Sequence, residues 1–266
     1  MRNNILTLLD GTKVEEKRSQ TPLVVGIFLV VITISAHITG FNLMTILTRG
    51  NYFFVILGDM MPPNTSYLPN IMNPLLDTIK MSIIGSFVGA MAAIPFAVIS
   101  STNIIHNRIV TALSRIFLSI IRTLPTLVTA LIATYIFGLG TLAGTMAITV
   151  FTFSYLGKLL YEEIETVDMG PYEAMQALGA GRAKSFVSAI IPQILPSYLS
   201  NTLFCFEGNV RYAAILGYVG AGGLGLILNE KIGWREYDKV GMILVSLFAT
   251  VVLIETLSHF FRSKLT

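Results

Sequence analysis

Charge is what this sequence has least of. Asp, Glu, Lys and Arg make up 12% of its 266 residues, about half the share that an ordinary soluble domain carries. So few charges cannot cover a water-facing surface on a chain this long. With 53% hydrophobic residues and a mean hydropathy of +0.72, the expected solvent for most of it is lipid. The single cysteine, Cys205, excludes an internal disulfide and leaves the redox compartment unreadable. The three histidines, His37, His106 and His259, stand far apart, so no metal site is expected. There is no acidic or basic run and no basic–aromatic interleaving, so nucleic acid is not an expected partner. A phosphate-binding loop is missing too. Ala180-Gly181-Arg182-Ala183-Lys184-Ser185 has Ala183 where the motif needs glycine, and no strand leads into it. The chain is therefore expected to bind no ATP or other cofactor itself, and not to be an enzyme.

What is there are long apolar runs. Residues 1–21 are polar and mixed in charge, too long a lead for a secretory signal, so the run from Pro22 to about Ala36 reads as an uncleaved first span. Residues 40–70, with Arg49, Asp59, Pro62, Pro63 and Pro69, read as an external loop containing a short interfacial helix. Further spans are expected near 75–99, 110–137, 140–165, 186–217 and 240–261, each meeting the ~20 residues a membrane helix needs. The fold class is thus an all-α integral membrane protein of about six transmembrane helices. It divides into a cytoplasmic tail (1–21), a first helix with its external loop (22–69) and a transmembrane domain (70–266) carrying an inner loop at 166–185.

Orientation follows from basic residues flanking the spans. With the N-terminus inside, the inner segments hold Arg2, Lys13, Lys17, Arg18, Arg108, Lys158, Arg182, Lys184, Arg262 and Lys264. The outer ones hold Arg49, Lys80, Lys231, Arg235 and Lys239. Both termini are therefore expected in the cytoplasm, on a multi-pass protein of the cell membrane. Gly85 and Gly89, four apart, allow two helix backbones to approach closely in lipid. Ordinary packing and a dimer-specific role are both open.

The inner loop carries the most specific pattern: Asp168-Met-Gly-Pro171-Tyr-Glu173-Ala174-Met175-Gln-Ala177-Leu-Gly179-Ala-Gly181-Arg182. Pro171 suits a first helical position, Glu173 faces the positive end of the helix dipole, and Gly179 supplies a left-handed stop. Ala174 and Ala177 keep one face small. Such a helix is either a docking site for a cytoplasmic partner or a capped loop helix without one.

This segment resembles the signature of ABC importer permeases: Glu-Ala-Ala, three residues, Gly, nine residues, then Ile-x-Leu-Pro. Glu173, Ala174, Gly179 and Pro192 fall in register, while Met175, Ala189 and Ile191 depart from it. Over roughly residues 68–262 the chain is similar to the phosphonate branch. The similarity is carried by Leu113-Ser114-Arg115, Arg122-Thr123-Leu124-Pro125, Leu156-Gly157-Lys158, Phe206-Glu207-Gly208-Asn209-Val210-Arg211 and the glycine-rich run from Ile215 to Gly225, which also resembles methionine permeases.

The resemblance implies a type I ABC importer permease fold. It also implies a coupling helix that docks on an ATP-binding subunit through Glu173, Ala174, Ala177, Gly179 and Arg182. The implied partners are two ATPase subunits, a second permease subunit, identical or not, and an external solute-binding protein, all in a lipid bilayer. The implied activity is ATP-driven import, of a phosphonate or related phosphorus oxyanion. Another small solute such as an amino acid is the alternative within the family, and an ion-coupled secondary transporter the alternative outside it.

Three constellations complete the reading. Pro192 and Pro196 at the start of the fifth span form either a static bend or a hinge. Gly220, Gly222 and Gly223 break the same span at its far end, by resemblance near an outer gate. Arg122, Glu207 and Arg211 are charges that must face protein or water. Glu207 and Arg211, four apart, can pair with each other. Arg122 lacks a local partner and is, with Glu207, Asn209 and Arg211, the expected lining of the substrate pathway.

Overall fold

The structure, a computed structural model, describes residues 20–265 and the backbone of two short strands, β1 (Ile5–Thr7) and β2 (Lys13–Glu15), paired antiparallel with Ile5 opposite Glu15. The rest of the tail read at 1–21, apart from Gln20 and Thr21, lies outside the described residues. The chain separates into two compact units, Met1–Leu57 and Gly58–Thr266.

The first unit contains α1 (Thr21–Ile38), with Pro22 in its first turn, where a missing N–H costs nothing. α2 (Leu43–Arg49) follows, capped by the Asn42 carboxamide oxygen, which accepts from the Met44 N–H at 2.9 Å. α3 (Asn51–Asp59) runs to the division. Two short helices thus stand where one was expected.

The second unit is a helical bundle built on α4 (Leu68–Ser100), α5 (Arg108–Thr123), α6 (Thr126–Phe137) and α7 (Thr141–Thr166). α4 and α7 lie side by side and run in the same direction. Gly85 packs on Ile148, Gly89 on Thr149 and Thr152, and Ala93 lies near Gly157. A methyl group at Gly85 would fall 2.7 Å from the Ile148 side chain, and one at Gly89 as close to the Thr149 carbonyl. The glycine pair therefore serves packing within the chain.

The third expected span is two helices. α5 and α6 meet at 89°, because Pro125 removes a backbone donor and drives Leu124 out of the helical region (φ −73°, ψ 121°). Arg122, expected near the middle of a continuous span, instead sits in the last turn of α5, at the break. α5 is also amphipathic in the reverse sense to a helix of a soluble protein. Ile109, Leu113, Ile116 and Ile120 are exposed, while Thr111 and Leu118 are buried and Ser114 and Arg115 half-buried. Polar groups facing inward and apolar groups outward is the arrangement lipid demands.

Beyond α7 come α8 (Gly170–Ala177), α9 (Arg182–Ser185), a π-helical turn (Phe186–Ile190) and α10 (Ile191–Leu216). α11 (Leu224–Gly233) and α12 (Tyr237–Arg262) complete the bundle. The helix from Arg182 to Val219 bends by 50° into α11. Gly220, Gly222 and Gly223 all have positive φ, between +69° and +78°, which only glycine adopts without strain. The loop is pinned. The Leu224 N–H donates to Thr78 Oγ1 at 2.8 Å and the Gly140 N–H to the Gly220 carbonyl at 2.9 Å. Counting each bent pair once, six segments among the described residues have the length and composition to cross a membrane.

Candidate functional site

Two places in the second unit carry the chemistry. At one end of the bundle, α8 projects the surface read from the sequence. Asp168 Oδ1 accepts from the Gly170 N–H at 2.9 Å and closes the N-terminal turn. At the other terminus Gly179 has φ +88° and donates to the Gln176 carbonyl at 2.9 Å, while Ala180 reaches back to Met175 at 3.0 Å, a left-handed stop. Tyr172 is buried. Glu173, Ala174, Ala177, Gly179 and Arg182 are exposed, and so is Leu178, at 89%. The exposed side of α8 is thus a small apolar surface, one leucine beside two alanines. Sequence reasoning passed over Leu178.

It also passed over the anchors behind α8. Gln193 Oε1 accepts from the Asp168 N–H at 3.2 Å, and its Nε2 donates to the Asp168 carbonyl at 3.1 Å and the Ala189 carbonyl at 2.7 Å. Glu163 accepts from Ser197 Oγ at 2.6 Å and Asn201 Nδ2 at 2.7 Å. The first clamp fastens the turn before α8, and the second the end of α7, to the start of α10. The signal for Gln193 was its place next to Pro192. Pro192 lies in the first turn of α10, directly after the π-helical turn, where the winding changes. Pro196 lies inside α10, which continues past it.

The second place lies between α7 and α10. A cavity of about 390 Å³ is lined by Phe151, Tyr155, Phe204, Cys205, Gly208, Arg211, Tyr212 and Ile215. Helical spacing explains the α10 set, since residues 204, 208, 211, 212 and 215 share one face. Phe151 and Tyr155 stack at 5.8 Å, and Tyr212 meets Phe151 edge-on at 5.6 Å. Arg211 pairs with Glu207, which is buried while the arginine remains about half exposed. Arg122 places its guanidinium 5.9 Å from the centre of the Tyr155 ring. It lines a neighbouring cavity of about 330 Å³ with Ser119, Thr123, Lys158 and Tyr161. Among the described residues no carboxylate lies within ion-pairing distance of Arg122.

Tyr155 therefore joins the two arginines, touching one and sharing a cavity with the other. It stands one residue before the Leu156-Gly157-Lys158 segment, and its aromatic character was the only sign in the sequence.

Asn209 is elsewhere. It was expected to line the pathway, but it is fully buried, and its Nδ2 donates to Ser86 Oγ and Thr152 Oγ1, both at 2.8 Å. The carboxamide turns toward α4 and α7 beside Cys205, so this side chain ties three helices together. The glycines 220, 222 and 223 form a packed loop in this conformation, with Ala221 fully buried against Gly144. No group of His, Cys, Asp or Glu able to hold a metal occurs among the described residues.

Residues 93–263 match the family of binding-protein-dependent transport system inner membrane components. A phosphate-import permease protein, PhnE, of Mycolicibacterium smegmatis is 32% identical over 77% of this chain and 39% of its own length. A phosphite transport system permease protein, PtxC, of Stutzerimonas stutzeri is 31% identical over 78% of this chain and 75% of its own. This chain thus spans about two fifths of the first relative and three quarters of the second. Among solved structures, an inward-facing MetNI methionine ABC transporter superposes with a TM-score of 0.68 at 22% identity, over 76% of this chain and 99% of that one. That likeness speaks for the fold.

Proposed function

Since the chain belongs to the binding-protein-dependent transport system inner membrane components, as residues 93–263 place it, we propose that it is the membrane-spanning subunit of an ATP-driven importer of a phosphorus oxyanion, a phosphonate or a close relative. In this reading the chain holds no ATP. A separate ATPase subunit docks on α8, two permease subunits enclose the path, and a binding protein delivers the solute from outside. The α8 end of the bundle is then cytoplasmic and the glycine-loop end faces outward. Family membership favours this over an ion-coupled carrier. The names of the relatives favour phosphorus oxyanions over amino acids.

The observation that carries the cargo is the placing of Arg122 and Arg211 around Tyr155, with no carboxylate of the described residues within ion-pairing distance of Arg122. A guanidinium offers two parallel N–H donors that fit two oxygens of a tetrahedral anion. Two such groups per subunit offset the cost of an anion in a low-dielectric path. The α8 surface supplies the drive. Because Gln193 fastens the turn before α8, and Glu163 the end of α7, to α10, a push on α8 is passed into the helix that carries Arg211.

The test is uptake by proteoliposomes holding the permease, its ATPase and its binding protein. Uptake of phosphonate or phosphite should require ATP and the binding protein. Arg122→Lys, which keeps charge and loses the fork, should lower it about tenfold with normal assembly. Wild-type rates in both Arg122→Lys and Arg122→Gln would remove Arg122 from the path.

A further inference from the structure

We infer that the cavity between α7 and α10 holds the organic substituent of the cargo. The cargo is then an organophosphonate bearing an uncharged alkyl or aryl group, rather than a bare phosphate or phosphite. The inference rests on the proposed import of phosphorus oxyanions and narrows it.

A bare tetrahedral oxyanion needs donors on every side and has no apolar surface to bury. The cavity is built otherwise. At about 390 Å³ it falls within the ~300–1,000 Å³ of small-molecule pockets, well beyond what such an ion fills. Its walls are the rings of Phe151, Tyr155, Phe204 and Tyr212, with a single cation, Arg211, among them. Three of the four rings are fixed against one another by stacked or edge-on contacts, so the box is formed in advance. One end is cationic and the rest aromatic, which matches a molecule with an anionic head and an apolar tail. A cationic tail is disfavoured, because Arg211 shares the space and the nearest acid, Glu207, is already paired.

Gly208 supplies the means to test this. It lines the cavity inside α10, and a methyl group there would meet only Tyr212, at 4.0 Å. The floor is open, and a larger side chain at 208 would grow into the box without touching backbone.

The experiment compares methyl-, propyl- and phenylphosphonate, 2-aminoethylphosphonate and phosphite in the assembled transporter, with one binding protein throughout, so that any change in ratio belongs to the permease. Each buried methylene is worth roughly a factor of three to four, so filling the box at 208 should lower the propyl-to-methyl uptake ratio roughly tenfold. Gly208→Leu should cut the phenyl-to-methyl uptake ratio at least tenfold, and Gly208→Ala should cut it less, in the same direction. The milder variant gives the answer if the larger one fails to assemble. An unchanged ratio in Gly208→Ala and Gly208→Leu overturns the inference. So does a wild type that moves phosphite alone, or one that prefers 2-aminoethylphosphonate to its near-isostere propylphosphonate. A wild type that moves no phosphorus oxyanion at all would instead sink the proposed function.

Discussion

At position 209 the side chain works inside the protein. Asn209 holds α4, α7 and α10 through two hydrogen bonds in an apolar setting. Such bonds between membrane helices contribute about 0.6 kcal/mol each and at most about 1.7. Asn209→Ala should therefore lower stability by about 1–2 kcal/mol, read as an earlier melting transition in detergent. The KM for the cargo should not change in the folded fraction. A raised KM with unchanged melting would return Asn209 to the pathway. Glu207 and Arg211 separate two roles in a similar way. Arg211→Gln strands a buried carboxylate and should cost about 1–3 kcal/mol, less than a fully buried pair because the arginine is half exposed. Adding Glu207→Gln should restore the melting transition. Transport should stay low if Arg211 also meets cargo, and should recover if the pair is structural only. The sequence made the pairing legible by spacing alone. Helical spacing already sets 209 and 211 on nearly opposite sides of α10, but it could not reveal which of the two faces inward, because that depends on which side of α10 the neighbours occupy.

Single helices were legible where local chemistry decides. Pro171, Glu173 and Gly179 bounded α8 correctly, since caps are local. Glu173→Lys and Gly179→Val should each abolish transport while the protein still reaches the membrane: the first places a cation at the positive helix end, the second a β-branched residue at φ +88°. Normal uptake in both would mean that α8 does not transmit the drive. The break between α5 and α6 was missed although Pro125 was in view, because hydropathy runs straight through it and a kinked helix would look the same. For the loop between α11 and α12 the sequence offered an outer placing but not its ion pairs. There Glu236 bonds Lys239 at 2.7 Å and Lys231 at 3.1 Å, and these cations hold its carboxyl below the usual range, Lys239 foremost. A depressed pKa means the loop is held at neutral pH and released as pH falls through that lowered value. Protection of the Trp234 and Arg235 amides, measured against the intrinsic exchange rate at each pH, should be steady down to about pH 4.5 and fall below it. A fall already at pH 6 would assign the loop to another group.

For the whole molecule, composition announced the membrane class, and the placing of the apolar runs announced about six spans. The parallel pairing of α4 with α7 was out of reach, because Gly85 and Gly89 fit any close helix contact. The proposed orientation is open to direct test. In a Cys205→Ala background, a cysteine at Asn64 should react with an impermeant thiol reagent added to intact cells, and one at Glu173 should not. The reverse result would invert the topology.

The Asn209 tie has a mechanical consequence. It lies about 27 Å along α10 from Ile191 and about 12 Å from Gly217, at 1.5 Å per residue. If α10 turns as a rigid rod, that tie is its fulcrum, and the two lever arms stand near two to one. A thrust at the Gln193 end then appears at the glycine loop reversed in sense and halved in size. The two ends would swing like a seesaw, one narrowing as the other widens. Paired spin labels at either end should change distance with opposite signs on ATP binding.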